Sequence, residues 1–137
     1  MNVIELQHDL IDYAKSIGID KIGFTNAAPF VDLKSVLKRQ QELGYQSGFE
    51  ESNIELRTEP LQLLDTAESI ISIAVAYPSK MVDAPVGKKG ERRGLFCRSS
   101  WGIDSHTALR NRLKMLEEWL LERVPGVQFK SMVDTGE

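Results

Sequence analysis

The sequence predicts an α/β or α+β protein in which a single β-sheet is flanked by helices. Three segments show apolar residues at helical spacing, at 3–17, 31–43 and about 104–123. The run Ser69–Tyr77 is the strongest strand signal, and the helix-like and strand-like segments alternate without repeats. A length of 137 residues fits one domain that can bury a sizeable core. The order of the elements leaves the pairing of the strands open.

The first half of the chain contains two predicted helices with a short strand between them. The apolar stripe of the first helix consists of Leu6, Leu10, Tyr13 and Ile17. Gly18 stands where a glycine commonly ends a helix, and Ile22–Thr25 reads as a short buried strand. The second helix, 31–43, is expected to end at Gly44.

The middle of the chain is expected to restart a short helix near Pro60, because proline suits the first helical turn. The run Ser69–Tyr77 that follows is rich in β-branched residues and nearly all apolar. So continuous an apolar run predicts a central strand that is covered on both faces.

The second half combines a loop, a long helix and two further strand candidates. Residues 79–93 form the predicted loop, which gathers four basic side chains: Lys88, Lys89, Arg92 and Arg93. Residues 94–97 are a candidate short strand, and 104–123 are predicted to be a helix. The alternation of side chains over 127–133 predicts a final strand.

The bulk composition excludes several classes of protein. A net charge of −3 gives no overall reason for nucleic-acid binding, so contacts with RNA must come from a local basic patch. One cysteine excludes an internal disulfide and an iron–sulfur cluster held by this sequence's own cysteines. No apolar run approaches the roughly 20 residues of a membrane span, and no signal peptide is evident. These observations predict a cytoplasmic protein, and the final residues, directly after a predicted strand, suggest part of a longer one.

The stretch 93–106 carries the most mixed chemistry and leads into the longest predicted helix. Each of its candidate residues has a structural alternative that the sequence leaves open. Asp104 is a candidate site carboxylate or a helix N-cap, and His106 is a candidate ligand or an exposed polar residue. Cys97 is a candidate site residue or a small buried apolar residue. Trp101 is a candidate for stacking on a ligand or a residue of core or surface packing.

Asp134 is the second candidate, because it follows the predicted strand 127–133. Sites of α/β proteins usually form at the carboxyl ends of strands, and a partly desolvated carboxyl there could act as a general acid. The alternative is a turn formed by Asp-Thr-Gly. The basic loop could bind phosphate or be merely solvated. No P-loop, dinucleotide fingerprint or metal-spaced histidine pair occurs.

Taken together, the motifs of the chain resemble the epoxyqueuosine reductase family, cobalamin- and iron–sulfur-dependent enzymes of queuosine synthesis in tRNA. The resemblance is carried in order by four pieces: Ile22-Gly-Phe24, Arg57 to Pro78, Trp101-Gly-Ile-Asp-Ser-His106 with Leu109-Arg110, and Val133-Asp134. One departure is Ser105, which stands where the family usually has tyrosine.

The resemblance implies a nitroreductase-like cobalamin-binding domain, of which residues 1–137 would be the N-terminal part. The family's ferredoxin-like region with two iron–sulfur clusters, and any helical repeats, would lie beyond Glu137. Electrons would pass from the clusters to cobalamin, and the epoxide of the modified nucleoside would be reduced to a cyclopentene.

The resemblance also implies roles for individual residues. Asp134 would donate the proton, while Asp104, Ser105 and His106 would lie at the substrate side. Cys97 and Arg98 would lie near the corrin, and the four basic loop residues are candidate tRNA phosphate contacts.

Two other functions are compatible with the sequence. One is another corrinoid-dependent reductase, such as a relative of the reductive dehalogenases, and the other is a cobalamin-binding or trafficking module without catalysis of its own. Under the preferred interpretation the partners are tRNA carrying epoxyqueuosine and an electron donor that the sequence does not identify. A monomer that does not bind membranes is expected.

Overall fold

The computed structural model describes residues 2–77, 83, 86–94, 96–100 and 102–133. Its helices and strands follow in this order: α1 (Val3–Ser16), β1 (Lys21–Asn26), α2 (Val31–Glu42), α3 (Ile54–Thr58), β2 (Ser69–Ala74) and α4 (Ser105–Arg123). Short 3₁₀ helices cover Pro60–Gln62 and Arg98–Ser100. Helices packed on a small antiparallel sheet make this an α+β fold, one of the two predicted classes.

Helix α1 has a well-defined beginning and end. The Asn2 side chain accepts a hydrogen bond from the Ile4 backbone, and the Glu5 side chain accepts one from the Asn2 backbone, which forms a capping box. At the other end Gly18 adopts a φ of 82°, in the left-handed region that glycine occupies without strain. The chain can therefore turn directly from α1 into β1, as the sequence predicted. The prediction that this strand is buried is wrong, because Ile22 is partly buried and the other residues of β1 are exposed.

The sheet consists of β1 and β2 in antiparallel register, from Lys21 opposite Ala74 to Asn26 opposite Ser69. Asp20 extends the pairing, because its backbone N–H donates to Ala74 O at 3.0 Å. Its carboxylate Oδ2 also accepts from the Ala76 N–H at 2.7 Å. This side chain fixes the register at the end where β2 leaves the sheet.

The prediction that Ser69–Tyr77 forms a central, doubly covered strand is wrong for the described part of the chain. There β2 has a single hydrogen-bonded neighbour, and none of its residues is fully buried. The strand also ends at Ala74 rather than at Tyr77. Its continuous apolar run alone could not show how many neighbours the strand has.

The core lies between α1, the sheet and α4. Its buried members are Leu10, Ala14, Ile19, Leu116 and Trp119. The Trp119 ring stacks on Tyr13 with centroids 5.5 Å apart, and the Arg123 guanidinium lies 3.8 Å above the Trp119 ring. Burial of these side chains fixes α4 against α1, although the two helices are about 100 residues apart in sequence.

A second contact region joins α2 to α3. Lys34 Nζ lies 2.6 Å from Glu59 Oε1 and 3.3 Å from Glu55 Oε1. The Phe30 N–H donates to Thr58 O at 2.8 Å, and Thr58 is completely buried. The Thr58 hydroxyl is satisfied within its own helix, since it donates to Ile54 O. This region lies outside the main core and also contains the buried apolar side chains of Leu37 and Ile54.

Two of the predicted strands do not form among the described residues. Residues 94, 96 and 97 have no strand conformation, while Leu95 lies outside the description. The segment 127–133 also pairs with no strand, although Val127 and Phe129 are more buried than Gln128 and Lys130. Alternating burial therefore comes from packing of the segment against the rest of the protein. A strand also needs a backbone partner, which the described sheet does not provide here.

Candidate functional site

The thiol of Cys97 is exposed, which excludes the alternative of a small buried apolar residue. The 3₁₀ helix Arg98–Ser100 folds back over it, with Ser99 Oγ 2.9 Å and Ser100 Oγ 3.5 Å from Cys97 Sγ. Hydrogen bonds from these hydroxyls to the thiolate, that from Ser99 first, lower the pKa of Cys97. The arrangement presents a soft, readily ionised donor to solvent.

The four basic residues of the predicted loop are all exposed. A turn with Gly90 at a φ of 90° separates the pair Lys88 and Lys89 from the pair Arg92 and Arg93. Arg93 Nε lies 2.6 Å from Glu91 Oε2, an exposed ion pair that contributes little to stability. The loop therefore carries positive charge at the surface, as the sequence predicted.

Asp104 is the N-cap of α4, which confirms the structural alternative for this residue. Its Oδ2 accepts from the Thr107 N–H at 3.1 Å and lies 3.4 Å from the Thr107 hydroxyl. Ser105 and His106 occupy the first turn of α4, and both are exposed. The structure thus brings three of the predicted site residues together at one helix end. Trp101 lies outside the described residues.

Asp134, the predicted acid, also lies outside the described residues, so the structure does not test its placement. The residues leading to it are described: Val133 is buried at 6% exposure, and Met132 is 40% exposed. The Ser131 hydroxyl donates a hydrogen bond to Glu117 Oε1 on α4. The chain therefore approaches Asp134 while packed against α4.

A groove of about 360 Å³ lies between α4 and the segment 131–133. Its lining consists of Arg110, Leu113, Lys114, Glu117, Ser131, Met132 and Val133. This groove is not among the sites predicted from the sequence. The sequence feature that could have indicated the groove is the i, i+4 spacing of Arg110 and Lys114, which places both basic side chains on one face of α4. The segment 131–133 packs against that face.

The described residues contain no cluster of three or more His, Cys, Asp or Glu side chains that could hold a metal ion. No helix in this part of the chain is long and apolar enough to cross a membrane.

Comparison with known proteins first identifies a class: the chain has the fold of the N-terminal part of reductases of known structure. The structure of an epoxyqueuosine reductase from Bacillus subtilis, described as having its Asp134 catalytic loop swung out of the active site, superposes with a TM-score of 0.89 at 53% identity. It covers 97% of this chain and 36% of that one. A second structure, an epoxyqueuosine reductase with an epoxyqueuosine-modified tRNA-Tyr stem loop, gives a TM-score of 0.89 at 56% identity, over 99% of this chain and 36% of that one.

The chain belongs to the family described as "Epoxyqueuosine reductase QueG, DUF1730", whose profile matches residues 57–135. Among curated relatives, the epoxyqueuosine reductase of Bacillus anthracis is 59% identical over the whole of this chain. The chain spans 36% of the length of that relative. The family resemblance inferred from the sequence motifs is confirmed.

Proposed function

We propose that residues 1–137 are the N-terminal part of an enzyme that reduces epoxyqueuosine to queuosine in tRNA. The observation that carries this proposal is the 59% identity to an epoxyqueuosine reductase along the entire chain. The structure of a relative with an epoxyqueuosine-modified tRNA stem loop supports tRNA as the substrate. The remaining parts of such an enzyme would be supplied by chain that the relatives have beyond the matched 36%.

Asp134 is the proposed proton donor. Cleavage of the epoxide C–O bond leaves negative charge on oxygen, so a nearby acid lowers the barrier. Val133, which precedes Asp134, is buried, and Met132 is partly so. Partly apolar surroundings favour the protonated form of a carboxyl group. The Asp134 catalytic loop described for the B. subtilis enzyme supports an aspartate in this role.

The start of α4 is proposed to face the substrate. Asp104 caps the helix through Oδ2, and a carboxylate has a second oxygen with further lone pairs. Oδ1 can therefore accept a hydrogen bond from a nucleoside hydroxyl without loss of the cap. Ser105 and His106, both exposed in the same turn, would orient the modified ring or relay a proton.

Cobalamin is the proposed cofactor, and the exposed groups at 97–98 fit one wall of its site. The Cys97 thiol, with its lowered pKa, and the neighbouring Arg98 are both exposed to a bound ligand. When bound, cobalamin would supply the reducing electrons. Iron–sulfur clusters would require thiolates from outside this chain, since it has a single cysteine.

Lys88, Lys89, Arg92 and Arg93 are proposed to contact tRNA phosphates. All four are exposed on one loop, and phosphate contacts of this kind make the affinity fall as salt rises. The net charge of −3 means that such binding would depend on this patch rather than on the whole surface.

The direct test uses the purified full-length protein and an epoxyqueuosine-modified tRNA stem loop, with the nucleosides analysed by mass spectrometry. We expect queuosine to form, and we expect Asp134→Asn to abolish turnover while cobalamin still binds. Near-normal turnover of Asp134→Asn would remove Asp134 from the acid role. Cobalamin binding by the parent protein without any reduction would favour a binding or trafficking module, and reduction of an organohalide instead would favour a dehalogenase relative.

A further inference from the structure

Two side-chain hydrogen bonds attach the segment 127–133, which precedes Asp134, to the rest of the protein. Among the described residues this segment pairs with no strand. At its beginning the Thr66 hydroxyl donates to Gln128 Oε1 at 2.6 Å. Near its end the Ser131 hydroxyl donates to Glu117 Oε1. The second of these contacts lies three residues from Asp134.

Glu117 is a rigid point of attachment because its helix is anchored on both sides of it. Leu116, the residue before it, is 5% exposed, and Trp119, two residues after it, is 7% exposed and stacked on Tyr13. Arg112, five residues earlier, donates from Nε to Gly18 O at 3.2 Å and so ties α4 to the end of α1. The backbone of α4 at Glu117 is therefore held by the packing of the core.

Val133 provides the second constraint on the segment. It is buried beside the groove that Leu113 and Lys114 also line. With Ser131 hydrogen-bonded and Val133 buried, alternate residues of the segment are attached to the body of the protein. The backbone that leads into Asp134 thus has a defined starting position and direction.

We propose that Glu117 and Ser131 are positioning residues for the Asp134 carboxyl. They act through the backbone of 131–133 and not by contact with substrate or cofactor. This inference rests on the proposed function, in which Asp134 donates the proton. A general acid acts only within hydrogen-bonding reach of the atom it protonates, and small misplacements of a reacting group can cost large factors in rate.

The experiment uses the full-length protein with Ser131→Ala, and kcat and KM are measured on epoxyqueuosine-modified tRNA. We expect kcat to fall about three- to tenfold, the range that corresponds to one net hydrogen bond, with KM for tRNA unchanged. Ser131→Thr keeps a hydroxyl and should restore most of kcat. Glu117→Gln keeps an acceptor oxygen, so its kcat should fall less than that of Glu117→Ala. Ser35→Ala, which removes an exposed hydroxyl bonded to Asp32 O within α2, is the matched control and should behave as the parent.

A second measurement separates this inference from the proposed function. Amide hydrogen exchange of the peptide spanning 127–134, in the full-length protein without substrate, should be faster in Ser131→Ala and unchanged in Ser35→Ala. This result does not depend on which reaction the enzyme catalyses. If the parent protein fails to reduce epoxyqueuosine, the proposed function is wrong. The exchange data would still show whether the hydrogen bond between Ser131 and Glu117 holds the segment 127–133.

Three outcomes would overturn the inference. One is full kcat in Ser131→Ala, and another is an equal loss in Ser131→Ala and Ser131→Thr. The third is unchanged exchange of 127–134 in Ser131→Ala, which would mean that the Glu117 contact does not hold the segment.

Discussion

At the scale of single residues, Cys97 shows how a neighbouring turn changes the chemistry of a side chain. Its pKa is lowered because Ser99 and Ser100 donate hydrogen bonds that favour the thiolate. We expect the pH dependence of alkylation by iodoacetamide to have its midpoint below about 8.5, the usual value for a free thiol.

Ser99→Ala is the variant that tests this cause. Loss of the main donor should move the midpoint upwards, while Ser35→Ala should leave it in place. A midpoint that is the same in Ser99→Ala and the parent would show that the hydroxyl does not stabilise the thiolate. In residues 1–137, which contain one cysteine, the alkylation signal comes from Cys97 alone.

Gly18 is the residue at which backbone conformation and packing act together. Its φ is 82°, and a Cβ placed there would lie 3.3 Å from Arg112 Nη2. We expect Gly18→Ala to lower the free energy of unfolding by about 1–2 kcal/mol, from left-handed strain plus displacement of Arg112. Urea denaturation followed by tryptophan fluorescence would measure the change.

Gly23→Ala is the matched control for Gly18→Ala. Gly23 lies in β1, has no positive φ, and a Cβ there would meet no heavy atom within 4 Å. Its free energy of unfolding should change by no more than about 0.5 kcal/mol. Equal effects of the two substitutions would contradict the role assigned to the left-handed turn.

At the scale of elements, what could be predicted from the sequence depends on how local the determining interactions are. Helices α1, α2 and α4 follow from apolar periodicity and caps, which are properties of neighbouring residues. The prediction of a strand at 127–133 was wrong, and β2 is not a central strand among the described residues. Both predictions failed because strand pairing depends on residues that are distant in the sequence.

The same distinction explains which parts of the candidate site could be predicted. Asp104 as an N-cap is a local property, and the structure confirms it. The exposure of Cys97 and the groove beside Val133 depend on how 94–100 and 131–133 return to α4, which no local pattern encodes. The motif resemblance identified the family because the motifs occur in the order in which the family has them, and this order requires no knowledge of contacts.

The contact between α2 and α3 depends on charge and therefore on pH. Glu59 and then Glu55 raise the pKa of Lys34 by accepting hydrogen bonds from its ammonium group. The pKa of Glu55 is lowered, chiefly by a backbone hydrogen bond and then by Lys34. The stabilisation from Lys34 is present below its unfolded pKa of about 10.4 and is lost above it. The stabilisation from Glu55 is present above the unfolded pKa of glutamate, about 4.3, and is lost as the pH falls through the lower folded pKa.

We therefore expect Lys34→Met to lower the melting temperature most between about pH 5 and pH 10. The difference from the parent should shrink in acid, as the carboxyl groups become protonated, and at strongly alkaline pH. Arg39→Met, at an exposed position about 140° further round the same helix, is the control and should have a smaller effect. A pH-independent difference for Lys34→Met would mean that packing of the side chain, and not its charge, joins the two helices.

At the scale of the whole molecule, several large apolar side chains of the described residues are exposed. They include Phe49, Phe96 and Ile103, which are 91%, 80% and 76% exposed. Extensive exposed apolar surface of this kind usually packs against further protein, in agreement with the 36% coverage of the curated relatives.

The cofactor site should be incomplete for the same reason. The groups proposed for cobalamin, Cys97 and Arg98, lie exposed on a single turn, whereas cofactor sites usually enclose most of the ligand surface. We expect residues 1–137 alone to bind cobalamin weakly or not at all, and the full-length protein to bind it tightly. Absorption spectra recorded during titration of each protein with cobalamin would show this. A stoichiometric spectral change with residues 1–137 would mean that this part of the chain holds the cofactor without the rest, because the titration contains no other protein.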